Sequence, residues 1–375
     1  MSRAMKTKTA VRASLALLPL ALLASVVSGQ QKSSGLYTVD ADDAVPEGAL
    51  RGAIDGIFDA EDMGDTRALI VVHDGKIIAE RYASGFGPDT KQLSWSMAKT
   101  VTAVLVGLMV SDGRLALDSP APVPAWSQAG DPRSGITLRQ LLTMSSGLAH
   151  AEDADDAGGA IADADTPRML FTDGVADMAG YAEAKPMAQH PGTHFNYSTA
   201  TTVILSDILT RMLTGSTDPE KRRAAMMQFI EGRLKQPVGL ASLTPEFDAR
   251  GTMIGGSIMH MTARDYASFG EFLRNKGRAN GRQILSQRWV QFMKTPSSQN
   301  PAYGGHLWLN RPSDRSPLFP DDAPRSLFAC VGHNGQYILV SPAQRLTVVR
   351  LGVSDSAERK PLRTALAKLV GLFPR

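Results

Sequence analysis

The sequence predicts an α+β fold: an antiparallel sheet built from both termini, flanked by N- and C-terminal helices, with a helical lobe inserted between its two halves. Leu69-Ile70-Val71-Val72-His73 and the run from Lys76 to Tyr82 flank Asp74-Gly75, a dipeptide suited to a two-residue hairpin turn. Near the other end, Gln336 to Val340 and Leu346 to Leu351 flank Ser341-Pro342-Ala343-Gln344 and read as a second strand pair. Between these β regions the segments 96–112, 137–144, 198–214, 219–235, 263–276 and 286–294 have helical character.

Taken in chain order, residues 1–29 read as a secretory signal peptide. Arg3, Lys6, Lys8 and Arg12 make a basic start, Leu15 to Val27 is a short apolar core, and Val27-Ser28-Gly29 is a small-residue cleavage site. The apolar part is shorter than the roughly 20 residues of a spanning helix, which favours cleavage near Gly29 over an uncleaved anchor and predicts no stable membrane insertion afterwards. Residues 30–44 are expected to be a linker. The remainder, 45–375, divides into a sheet lobe (45–95 and 296–375) and a helical lobe (96–295). Pro46 to Ala60 carries Leu50, Ile54, Ile57 and Phe58 on one side of a helix, and a last helix is expected from Glu358 to Leu372. The acidic loop Glu152 to Asp165 fails as a calcium site, because Ala157 and Ala164 stand where oxygen ligands belong. It reads as a solvated loop or as an anionic rim on a cleft.

A net charge of +3, without a basic block interleaved with aromatics, implies no nucleic-acid partner. Cys330 is the only cysteine, so no internal disulfide forms. Export without disulfides suits a bacterial periplasmic or secreted protein with a large core. Gly-x-Ser-x-Gly, His-Glu-x-x-His, Cys-x-x-Cys, Gly-x-Gly-x-x-Gly and the P-loop pattern are absent, and the histidines lack metal-ligand spacing, so no metal or organic cofactor is expected. The oligomeric state is not legible.

The only Ser-x-x-Lys is Ser96-Met97-Ala98-Lys99, opening the uncharged run Thr100 to Ser111. A serine hydroxyl needs a base to become a nucleophile, and a lysine one helical turn away is placed to be one. Ser94 is expected to cap this helix. The helix dipole and burial both disfavour the ammonium, moving Lys99 toward the neutral form. Two further segments can complete a site. Pro191 to Thr199 delivers Tyr197 to a helix start, where a nearby ammonium would stabilise its phenolate. Val331-Gly332-His333-Asn334-Gly335-Gln336 is a glycine-punctuated strand whose backbone N–H groups can face an oxyanion.

With these segments in hand, the chain resembles the serine β-lactamase and penicillin-binding-protein superfamily. It is most similar to the branch related to class C β-lactamases, which includes family VIII esterases and 6-aminohexanoate-dimer hydrolases. Ser96-Met97-Ala98-Lys99 matches the first motif, and Trp95 and Thr100 beside it resemble the 6-aminohexanoate-dimer hydrolases in particular. Tyr197-Ser198-Thr199 matches Tyr-x-Asn, with Thr199 in place of the asparagine. His333-Asn334-Gly335 stands in place of Lys-Thr-Gly. The segments Ile136 to Leu148, Asp112 to Asp118 and Gly255 to Asp265 are also similar to the family. The resemblance implies a β-lactamase/transpeptidase-like fold and an acyl-enzyme on Ser96. It implies Lys99 or Tyr197 as base and proton relay, and an oxyanion held by the N–H groups of Ser96 and Gln336. With His333 replacing the anchoring lysine and Thr199 replacing the amide, small esters or linear amides are the expected substrates. The alternatives are a β-lactamase or D,D-peptidase activity, and a non-catalytic penicillin-binding-like sensor or scaffold.

Overall fold

The computed structural model describes residues 36–375 except 41, 155, 157–162 and 315; the expected signal segment 1–29 lies outside the described residues. Strand Asp65–His73 turns through Asp74 (φ 50°) and Gly75 (φ 80°) into Lys76–Tyr82. Positive φ at both turn residues is the hairpin geometry that Asp-Gly accommodates. From the other end of the chain, Leu346–Val353 pairs antiparallel with Asp65–His73, placing Val348 opposite Val71. The N-terminal and C-terminal β regions therefore meet at the centre of one sheet. Its strand order is Tyr37–Val39, Lys76–Tyr82, Asp65–His73, Leu346–Val353, Gln336–Ser341, Phe328–Gly332, Trp308–Leu309. Tyr37–Val39 falls inside the expected linker, yet Thr38 pairs with Glu80, so this stretch is an edge strand.

Both faces of the sheet are covered, which is why its central strands read as continuous apolar runs rather than alternating ones. Leu69, Val71, Leu339 and Val348 pack in one core with helices Glu47–Asp59 and Arg359–Gly371. Ile70, Val72, Ile338 and Val349 face the other core, shared with the inserted helices. At the middle of that second core lies helix Met97–Ser111, buried from Met97 through Met109. Such an all-round apolar helix belongs inside a large core. Among the described residues no helix is long and apolar enough to cross a membrane.

The structure departs from expectation at two places. The helix expected over 219–235 is α-helical only as Pro219–Ile230, continues as a π turn Glu231–Lys235, and ends by Gly239 at φ 88°. A short strand pair, Lys91–Leu93 with Met259–Thr262, has too few residues to show a sequence period. It nevertheless delivers both Ser96 and Gly256 to the same place.

Candidate active site

The chain leaves strand Lys91–Leu93 and must turn sharply to start helix Met97–Ser111. Trp95 makes that turn at φ 44°, a left-handed conformation that costs a bulky residue free energy and that surrounding structure must hold. Ser94 does not cap the helix. Its hydroxyl donates to the Trp95 carbonyl at 2.9 Å, lies 3.3 Å from the Ser257 carbonyl, and accepts from the Met259 N–H at 3.1 Å, tying the turn to the neighbouring strand. Ser96 takes the position before the first helical residue with no capping hydrogen bond of its own, so its hydroxyl is available elsewhere. It faces Lys99: Lys99 Nζ lies 2.9 Å from Ser96 Oγ.

Lys99 is 2 % exposed and spends its donors locally. Beyond Ser96, Nζ donates to Thr199 Oγ1 at 2.7 Å and to the Gly256 carbonyl at 2.8 Å. Glycine is required at 256, since a Cβ there would come within 2.7 Å of the Thr199 carbonyl oxygen. Burial lowers Lys99 from its ordinary 10.5 to about 8, against the opposing pull of the Glu152 charge. A neutral Lys99 can give two N–H groups to Thr199 and Gly256 and present its lone pair to Ser96 Oγ.

Ser198 caps helix Thr199–Leu213 through the Thr201 N–H, and this cap sets Tyr197 at the mouth. The Tyr197 ring stands 4.8 Å from Lys99 Nζ and packs against Trp308 and Tyr303 at 5.5 and 5.9 Å between centroids. Burial and the Glu152 charge push its hydroxyl well above the ordinary 10, with only the Ser96 side chain pulling down. The expected phenolate is therefore not favoured; Tyr197 is a neutral phenol beside the serine.

These groups open into a cleft of about 350 Å³. Trp95, Leu170, Phe171, Trp308, Pro317 and Val331 make its apolar wall, and Glu152, Asp153, His333 and Arg359 supply its charged and titratable groups. His333 stacks edge-on against Trp95 at 5.3 Å between centroids. Burial and the Arg359 charge hold it below its ordinary 6.5, so it is neutral at pH 7.

The rest of the predicted 333–336 segment sits off the cleft. Gly332 and Gln336 form the closing pair of the hairpin, while Asn334 (φ 57°) and Gly335 (φ 78°) make its turn. Gln336 spends its side chain on the turn, with Nε2 donating to the carbonyls of His333 at 3.0 Å and Gly352 at 2.6 Å. Buried Arg350 donates to the Gly335 carbonyl at 2.9 Å. The strand end on the cleft wall is Gly332–His333, and Gln336 lies across the closing pair on the returning strand. A Cβ at 332 would lie 2.5 Å from the Ser94 carbonyl oxygen, so glycine permits this strand to approach the nucleophile turn.

Glu152, Gly256, Trp308 and Arg359 are site residues that sequence reasoning did not single out. Glu152 belongs to the acidic loop read as a possible cleft rim, but its partner Thr199 is 47 positions away. Among the described residues no group of three or more His, Cys, Asp or Glu is placed to hold a metal ion. Cys330 is buried, and its thiol is pushed up to about 12 by burial, which makes it unreactive.

A sequence model of the Beta-lactamase family matches residues 60–371. A 6-aminohexanoate-dimer hydrolase of Paenarthrobacter ureafaciens is 28 % identical over 298 residues, covering 76 % of this chain and 72 % of the relative. Among solved structures, a family VIII carboxylesterase superposes with a TM-score of 0.63 at 14 % identity, over 89 % of this chain and 100 % of the other. A penicillin-binding-protein homologue from Caulobacter crescentus gives 0.60 at 18 % identity, over 89 % and 100 % of the two chains. The match across most of the chain, on a fold shared with these structures, places this protein in the Beta-lactamase family of serine hydrolases.

Proposed function

We propose that the protein hydrolyses small esters or linear amides through an acyl-enzyme on Ser96. The observation that carries this reading is the 2.9 Å contact between Ser96 Oγ and the buried Lys99 Nζ at the floor of an apolar cleft. Neutral Lys99 takes the serine proton as Oγ attacks the carbonyl carbon, and the oxyanion is held by the N–H of Ser96 with the N–H groups of the Gly332–His333 strand end. Collapse of the intermediate breaks the ester or amide bond; Tyr197 gives its phenol proton to the departing alkoxide or amine and takes the proton held on the Lys99 ammonium, so both return to their neutral forms. Water then enters by the same route in reverse. The opposed pKa directions of Lys99 and Tyr197 favour the lysine as the base.

The substrate side follows from charge. A β-lactam carries a carboxylate that family members hold with a lysine, and a neutral His333 stands at that corner. Arg359 is the only cation on the described cleft wall, so a linear amide ending in a carboxylate is the second substrate form that the site accommodates. The relative's 6-aminohexanoate dimer has that form. The expected order is p-nitrophenyl butyrate and 6-aminohexanoate dimer turned over faster than nitrocefin, with His333→Lys narrowing the gap. Nitrocefin turnover near the diffusional ceiling of about 10⁸ M⁻¹s⁻¹ in the wild type would refute the ester and amide reading. We further propose export, supported by the sequence of residues 1–29; the mature N-terminus should then lie near Gln30 in periplasmic or secreted material.

A further inference from the structure

The acidic loop contributes one side chain to the floor of the cleft. Glu152 Oε1 accepts from Thr199 Oγ1 at 2.6 Å, while Oε2 accepts from the Thr199 N–H at 2.5 Å and from Thr166 Oγ1 at 2.7 Å. The same Thr199 oxygen accepts from Lys99 Nζ at 2.7 Å, and Glu152 Oε1 itself is 3.9 Å from Nζ. A hydroxyl has one hydrogen and two lone pairs. With its hydrogen committed to Glu152, Thr199 must present a lone pair to Lys99, which fixes one Lys99 N–H toward Thr199. The Gly256 carbonyl fixes a second, and the remaining direction points at Ser96 Oγ.

Resting on the hydrolase reading above, we propose that Glu152 is the positioning residue of the Ser96–Lys99 pair, orienting the amine through Thr199 and stabilising the ammonium formed in each acylation. The balance is simple. The Ser96 O–H bond breaks and an N–H bond forms on Lys99, the Oγ–carbon bond forms, and the carbonyl electron pair moves to the oxyanion. The only new positive charge lies on Nζ, beside Glu152. In the reverse half of the step that proton leaves for the departing group, and the charge is lost. The arrangement plays the part that the third group plays wherever a base is itself oriented by a partner. A threonine suits this relay because a single oxygen both receives from the lysine and donates to the carboxylate.

The other titratable groups that sense Lys99 or Glu152 do not blur the signal. His150 and His306 are buried and held at about 4 and about 3, His333 lies below 6.5, and Tyr197 and Tyr303 are raised above 10. Asp153 and Arg359 complete the charged groups on the cleft wall. Between about pH 7 and pH 9 the titration of Lys99, near 8, is therefore the one that reports.

The test is the rate at which a fluorophosphonate labels Ser96 as a function of pH, with the site of labelling read by peptide mass spectrometry. Neutral Lys99 is the active form, so labelling in the wild type rises through pH 8 or so. Glu152→Gln removes the charge that favours the ammonium, so the rise should move to lower pH by at least about 1 unit, the size expected for a charge within 4–6 Å. Its plateau should fall about tenfold or more as the amine loses its orientation. Thr199→Val should lower the plateau similarly and Thr199→Ser restore it, a pair that serves if Glu152→Gln does not fold. A purely structural role for Glu152 would lower labelling at every pH and leave the rise where it was. An unmoved rise in folded Glu152→Gln, or a Thr199→Val variant that labels like the wild type, overturns the proposal. Absence of Ser96 labelling in the wild type would instead remove the hydrolase reading, and this assignment with it.

Discussion

Replacing Lys99 with methionine should abolish catalysis and at the same time relieve the fold of a cost that can be read from its pH dependence. Lys99 is 2 % exposed, and burial lowers it from 10.5 to about 8. At about 1.36 kcal/mol per pH unit, the protonated side chain costs the folded state roughly 3 kcal/mol when the pH is below both values. The folded protein binds fewer protons at Lys99 than the unfolded chain between about pH 8 and pH 10.5, so stability rises with pH across that window. The penalty is complete below about pH 8 and is relieved as the unfolded lysine also loses its proton. Methionine matches the length of the side chain but carries no charge, so its contribution does not vary with pH. It leaves the Gly256 carbonyl without a donor, a loss that is the same at every pH. Urea unfolding of wild type and Lys99→Met at about pH 6 and about pH 9.5 isolates this contribution, because all other titrations cancel in the difference. The stability of wild type relative to the variant should rise by about 2 kcal/mol from the lower pH to the higher. A difference that is identical at the two pH values would show that Lys99 is not held neutral by burial, and would remove the physical basis for its role as base.

Two further substitutions address the same site from other sides. Tyr197→Phe removes the phenol without disturbing the ring contacts with Trp308 and Tyr303, so kcat for p-nitrophenyl butyrate should fall by on the order of 10²–10⁴ while the thermal midpoint stays close to wild type. Gly256→Ala places a Cβ within 2.7 Å of the Thr199 carbonyl oxygen, which must push apart the two groups that hold Lys99. Here kcat should fall about tenfold or more, with a smaller change in KM, and an unchanged kcat would show that the Gly256 carbonyl does not position the amine.

Legibility of the sequence followed the range of the interactions. The Asp74-Gly75 hairpin, the pair around 341–344 and helix Met97–Ser111 are local patterns, so period and turn chemistry alone found them. Lys91–Leu93 and Met259–Thr262 were not found, because each is short and its partner lies more than 160 residues away. The same reason hid Glu152. An acidic residue in an alanine- and glycine-rich loop has no local pattern that distinguishes a solvated carboxylate from one bonded to Thr199. Ser94 was misread as a cap for a related reason: a serine two residues before a helical serine fits the capping preference, but a strand more than 160 residues away claims its hydroxyl. Gln336 pairs with the cleft-lining Gly332 across the turn, and a motif match fixes order along the chain but not which side of a turn faces the cleft.

Four departures from locally favourable structure converge on Ser96. Trp95 is held at φ 44°, Lys99 is a buried amine, and Gly256 and Gly332 let backbone approach to distances that a Cβ would forbid. The left-handed Trp95 costs of order 1–3 kcal/mol and the buried Lys99 amine about as much, while glycine at 256 and 332 permits a close approach that a Cβ would block. The turn leaves the Ser96 hydroxyl uncommitted, burial lowers the amine pKa, and the two glycines bring in the carbonyl that holds the amine and the strand end beside the nucleophile turn. The proposed acyl-enzyme mechanism uses all four at once. The remainder of the fold offsets these costs with two dense apolar cores and a sheet covered on both faces. A sensor or scaffold that had lost its chemistry would gain stability by letting this strain relax, first at Lys99, where methionine removes a charge and keeps the shape. The lysine is still present, with Thr199 and Gly256 arranged around it, and its persistence at that cost is the strongest physical reason to read the site as a working base rather than a remnant.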